Sequence, residues 1–150
     1  ILLKGSLAAG AVGVAVGAGL LTPRAVLAAW PEAAFKAESV DDALTSLLGS
    51  NTHEASESIK IKAPDIAENG AVVPVTVESD AEGISSIAII AAGNQTPLIA
   101  SFELGAGAVG FVSTRIKMGK TANVIATVKS GDKIYSAAKE VKVTIGGCGG

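Results

Sequence analysis

Between Ile59 and Ile145 most of the apolar runs of this chain repeat at every second position, and that period limits its fold more than any other feature. Ile59/Ile61/Ala63, Val73/Val75/Val77, Val112/Thr114/Ile116/Met118, Ala122/Val124/Ala126/Val128 and Val141/Val143/Ile145 each alternate with neighbours that are polar or charged except at Pro74, Phe111 and Ile125. Alternation of this kind is what a strand with one buried face requires. Residues 84–91 and 98–104 are apolar through most of their length and read as strands buried more fully. Turn clusters separate the runs: Glu68-Asn69-Gly70, Gly93-Asn94-Gln95, Gly105 to Gly107, Gly119-Lys120 and Ser130-Gly131-Asp132. With residues 133–137 added, about eight short strands follow one another without a helix between them, the pattern of an antiparallel β-sandwich of immunoglobulin-like character. The Cys…Trp…Cys arrangement of antibody domains is missing. Pro74 inside a strand pattern predicts an edge or bulge position, because proline cannot donate to a ladder.

Ahead of the strands the period is helical. Pro31-Glu32 after Trp30 favours a short helical turn. Ser39 with Asp42 three positions later makes a capping pattern, Gly49 closes the segment, and Val40, Ala43, Leu44, Leu47 and Leu48 share one face. No repeat, charge block or low-complexity linker divides residues 30–145, so the expected architecture is one mainly β domain, an immunoglobulin-like sandwich with a short N-terminal helical segment. A chain of 150 residues that is 49% hydrophobic has enough material for such a core.

Residues 1–28 differ in kind. After Lys4 the chain runs from Gly5 to Leu21 without a charge, breaks at Thr22-Pro23-Arg24, and offers Val26 and Ala28 at the −3 and −1 positions of a signal-peptidase site. This is the expected form of a removable export signal. Five glycines in the run make it a poor membrane anchor, so no membrane association is expected after its removal. The chain starts on Ile, so its true start is expected upstream. The weakly hydrophobic Gly/Ala-rich core fits the twin-arginine type, with Ile1-Leu2-Leu3-Lys4 as the end of that motif. Loss of Lys4 and Arg24 takes the net charge from −2 to −4. The destination is then periplasmic and oxidising.

The chemistry narrows by elimination. One cysteine and one histidine leave no intramolecular disulfide and no multi-ligand Cys/His metal site. The acidic balance leaves no footprint for nucleic acid. His53 sits in a polar loop with no Ser/His/Asp spacing around it, and reads as a solvated surface residue. Asp41 and Asp42 lie in a helix first turn, where the helix dipole accounts for them. No phosphate-binding glycine loop occurs, so the expectation is not an enzyme, and no cofactor or metal is assigned.

What remains is the ending, Gly146-Gly147-Cys148-Gly149-Gly150. Glycines on both sides give a thiol unobstructed approach on a thin, flexible arm, residues 146–150, reaching roughly 10 Å from Ile145 to Cys148. An unpaired cysteine in an oxidising compartment is a liability unless something uses it. Prenylation would need the cysteine fourth from the end, and a lipoprotein anchor would need it at the signal cleavage site. Two alternatives stay open: a structural exported sandwich dimerising through Cys148, and a C-terminal Gly-Gly thiocarboxylate or acyl carrier in which Gly150 is the reactive end.

The Gly146-Gly147-Cys148-Gly149-Gly150 ending closely resembles the terminus of the SoxY family, the sulfur-carrier subunits of the bacterial Sox thiosulfate-oxidation system. Trp30-Pro31…Phe35, Asp42-Ala43-Leu44 and Ile66-Ala67-Glu68-Asn69-Gly70-Ala71-Val72-Val73-Pro74-Val75 resemble other stretches of that family. The resemblance implies a carrier that pairs with SoxZ, both subunits being immunoglobulin-like sandwiches. It implies that Cys148 is conjugated to thiosulfate by the haem enzyme SoxAX, and that the cysteine S-thiosulfonate is presented to SoxB for hydrolysis and in some organisms to SoxCD. Gly146, Gly147, Gly149 and Gly150 would correspond to the family's swinging arm, and the only bound group would be the covalent adduct on Cys148.

Overall fold

Each alternating run sends one row of side chains inward, and two sheets close over those rows. The computed structural model describes residues 30–147. The chain divides into two units, Ile1–Trp30 and Pro31–Gly150. The expected export signal, residues 1–28, lies outside the described residues, and the fold described is that of the second unit.

Its elements run α1 (Glu32–Lys36), α2 (Val40–Leu48), β1 (Glu54–Ala55), β2 (Ile59–Lys62), β3 (Ile66–Ala67), β4 (Val73–Ser79), β5 (Ile84–Ala91), β6 (Leu98–Glu103), β7 (Gly110–Ile116), β8 (Ala122–Ser130) and β9 (Lys133–Val143). One sheet has the order β1-β9-β8-β5-β6, with β3 also on β9, and the other has the order β2-β4-β7. The long ladders are antiparallel; only the two-residue strands β1 and β3 run parallel to β9. Between the sheets lie Ile59, Val73, Val75, Val77, Val112, Ile116 and Met118 from one side and Ile87, Ile89, Ala91, Val124, Ala126, Val128 and Val141 from the other. Burying one such aliphatic side chain is worth about 1.5–3 kcal/mol, which makes this layer the main source of stability. The antiparallel sandwich expected from the alternation is the fold observed.

The helical segment covers the outer face of the larger sheet. Ser39 Oγ accepts from the Asp42 N–H at 3.1 Å, and Gly49 ends α2 in the left-handed region with φ 78°, its N–H donating to Thr45 O at 2.9 Å. Ala34, Ala43 and Leu44 then form a second core with Ala88, Ile90 and Leu98. This explains why β5 has apolar residues in both phases: Ile87, Ile89 and Ala91 face the sandwich, while Ala88 and Ile90 face the helices.

Three local expectations change. Residues 98–104 are not a fully buried strand: in β6, at the sheet edge, only Leu98 is buried, and Ile99 to Phe102 are half-buried. Residues 133–137 and the final run are one strand, β9, whose ladder with β8 runs unbroken from Ser130↔Lys133 to Ala122↔Val141. The turn before it is tight, with Gly131 at φ 59° in the first of its two loop positions, where a glycine avoids the strain of positive φ. Pro74 lies on the middle strand of its sheet, but beyond the last β2 pair, Lys62↔Thr76, so its β2 side is locally an edge.

Candidate functional site

β9 is the strand that delivers the chain to the cysteine, and its last residues are held from both sides. On one side β3 pairs with it through Ile66↔Lys142 and Ala67↔Val143. The pairing continues past the strand: the Thr144 N–H donates to Ala67 O at 3.1 Å, Thr144 Oγ1 donates to Glu68 O at 3.0 Å, and the Gly70 N–H donates to Ile145 O at 2.7 Å. On the other side Thr121 Oγ1 accepts from the Val143 N–H at 2.8 Å.

Beyond Ile145 a relay of backbone bonds takes over. The Met118 N–H donates to Gly70 O at 2.7 Å, and the Gly147 N–H donates to Met118 O at 2.8 Å. Asn69 shapes the turn that brings Gly70 there, its Oδ1 accepting from the Ala71 N–H at 2.9 Å. The backbones approach so closely that only glycine fits. A Cβ on Gly70 would stand 2.3 Å from Met118 O and 2.8 Å from Gly147 N, and one on Gly146 would stand 2.2 Å from Gly119 O. A Cβ on Gly147 would stand 2.7 Å from Gly70 O. Gly146 and Gly147, assigned to the arm for their backbone freedom, are thus tethered by packing. Cys148, Gly149 and Gly150 lie outside the described residues. By covalent geometry the Cys148 Cα is about 3.8 Å from that of Gly147.

Asn94 holds the relay from behind. Its amide Nδ2 donates to Lys117 O at 2.8 Å and its Oδ1 accepts from the Gly119 N–H at 2.9 Å, bracketing Met118. The residue is only 8% exposed, and both polar functions of its side chain are satisfied by one loop. Sequence reading placed Asn94 in a turn and no further; a buried partner for an asparagine gives no signal in the pattern of one chain. Close to this root in sequence, Ile145 and Val72 are large apolar side chains left exposed, at 68% and 53%.

His53 stands elsewhere. Its Nδ1 is 2.6 Å from Ser136 Oγ, fixing the loop after α2 to β9. Asp41 and Asp42 lie in the first turn of α2, as expected. Among the described residues no group of three His, Cys, Asp or Glu side chains comes together in a way that could hold a metal.

A search among curated proteins returns no match. The family model described as "Sulfur oxidation protein SoxY" matches residues 44–148, a span that takes in both the relay and Cys148. The chain belongs to the SoxY family. A solved SoxY structure agrees: the sulfur carrier protein SoxY from Chlorobium limicola f thiosulfatophilum is 45% identical, with a TM-score of 0.66, over 71% of this chain and 97% of that one. Membership of the SoxY family supports a sulfur-carrier role for this chain, a role that requires no catalytic machinery of its own.

Proposed function

We propose that this SoxY-family protein is the periplasmic carrier on which thiosulfate is oxidised, with Cys148 as the point of covalent attachment. The observation that carries the reading is the position of the chain's one cysteine, inside the family span and one residue beyond the clasped Gly147.

Loading joins the Cys148 thiol to the outer sulfur of thiosulfate. The thiol proton leaves, a new S–S bond forms, and two electrons pass to an acceptor, the haem enzyme SoxAX. Hydrolysis by SoxB then breaks the bond between the terminal sulfonate sulfur and its neighbour. Water supplies the fourth oxygen of the released sulfate, and a persulfide stays on Cys148. SoxCD, where present, would oxidise the remaining sulfane sulfur on Cys148, three waters supplying its oxygens and six electrons leaving to that dehydrogenase, and the sulfonate so formed would return to SoxB. The scaffold's part is to offer the thiol to each enzyme in turn; the residues flanking Cys148 in sequence are all glycine, so activation would come from the cleft that receives the arm. SoxZ is the proposed partner subunit. The export signal expected at residues 1–28 supports the periplasmic assignment.

Incubation of the mature protein with thiosulfate and its loading enzyme, followed by intact-mass measurement, is expected to show a thiosulfate-derived addition that a thiol reductant removes. An unmodified thiol or only a disulfide dimer after that incubation contradicts the proposal.

A further inference from the structure

We infer that Asn94, Gly70 and the Met118-Gly119 loop are positioning residues for Cys148: together they form a clasp that fixes the origin of the thiol at Gly147. The inference builds on the carrier reading but concerns the free chain. Three segments far apart in sequence meet at this point through Gly70 N–H to Ile145 O, Met118 N–H to Gly70 O and Gly147 N–H to Met118 O, all at 2.7–2.8 Å. Asn94, buried, holds the carbonyl and the N–H on either side of Met118.

Met118 belongs to the sandwich core, but the two glycines that the clasp holds lie beyond what the sandwich needs. β9 ends at Val143, and the core is complete without Gly146 or Gly147. Its effect falls on reach. Anchored at Thr144, which Ala67 and Glu68 hold without the clasp, Cys148 would swing over roughly 14 Å of extended chain. Anchored at Gly147, its Cα stays within about 3.8 Å of the pivot. With a side-chain length of roughly 3 Å added to each radius, the volume open to the sulfur shrinks on the order of 15-fold, and its local concentration at a docked cleft rises by as much. A thiol held this close to the domain also requires a receiving enzyme to come up against the clasp loops themselves.

The full chain offers a direct test, since its one cysteine can be nitroxide-labelled without background. In the wild type the Gly147 amide is expected to exchange with solvent at least tenfold more slowly than an unstructured glycine. Asn94→Ala should remove that protection and narrow the spin-label spectrum at Cys148. Gly70→Ala should do the same from the opposite side of the clasp, because its Cβ would overlap Met118 O. Ser39→Ala, which weakens the α2 cap far along the chain, should lower the melting temperature and leave both readings unchanged, separating positioning from general stability. If Asn94→Ala does not fold, Asn94→Asp, which keeps the acceptor for Gly119 and loses the donor to Lys117, should give a smaller change in the same direction. Exchange of the Gly147 amide at the unprotected rate in the wild type, or unaltered spectra in the variants that fold, overturns the inference. Neither measurement involves thiosulfate or a partner enzyme, so a failure of sulfur loading would leave the result standing.

Discussion

Cys148→Ser is expected to abolish thiosulfate loading, with at least a hundredfold loss of adduct, while the melting temperature stays within about 1 °C of the parent. The change replaces sulfur by oxygen at a position past the last tethered glycine and alters none of the side chains of either core. Substitutions away from buried or strained features typically fall within about 0.5 kcal/mol. Intact-mass measurement after incubation with thiosulfate and the loading enzyme checks the first part, and a thermal melt followed by circular dichroism checks the second. The companion variant is deletion of Gly150, which should load normally. The reverse pattern, with Cys148→Ser loading and the Gly150 deletion failing to load, is what a C-terminal Gly-Gly carrier would give.

The second large effect is on stability. Leu44→Ala should cost about 2–5 kcal/mol and lower the melting temperature by roughly 10 °C or more, because Leu44 is 1% exposed and closes the second core between α2 and β5–β6. Deleting three carbons there leaves a cavity between a helix and a sheet, two elements that cannot easily collapse onto each other. The folded fraction should still load thiosulfate normally, since this core lies apart from the residues that tether Gly146 and Gly147. A loss under about 1 kcal/mol, measured by denaturant unfolding, would mean that the helices are an appendage rather than part of the domain.

The strands were legible where one face is buried and the other wet. Val73/Val75/Val77 and Val124/Ala126/Val128 read inward from sequence and point inward in the fold. The reading failed where the second face is covered as well. In β9 the core-facing set is Tyr135, Ala137, Val141 and Val143, yet Ile134 and Ser136 are buried too, in the opposite phase. His53 and the strand β1 lie against that other face, so the pattern breaks although the ladder does not, and one long strand read as two. The helix α2 was legible because its caps are local: Ser39, Asp42 and Gly49 carry their signals within a few residues. The glycines at the end were legible as glycines and ambiguous in purpose. Freedom and close approach both call for a residue without a Cβ, and only the position of Gly70, some 75 residues earlier in the chain, distinguishes them at Gly146 and Gly147. Asn94 lay hidden for a related reason, because its two partners sit on a loop more than twenty residues away.

The measurement closest to the central claim is peptide-level mass mapping of protein loaded with thiosulfate by its partner enzymes. The account predicts a reductant-sensitive sulfur addition confined to the C-terminal peptide and localised by fragmentation to Cys148. An addition on any other residue, or on the Gly150 carboxylate, or a C-terminal peptide that stays unmodified while thiosulfate is consumed, would contradict it.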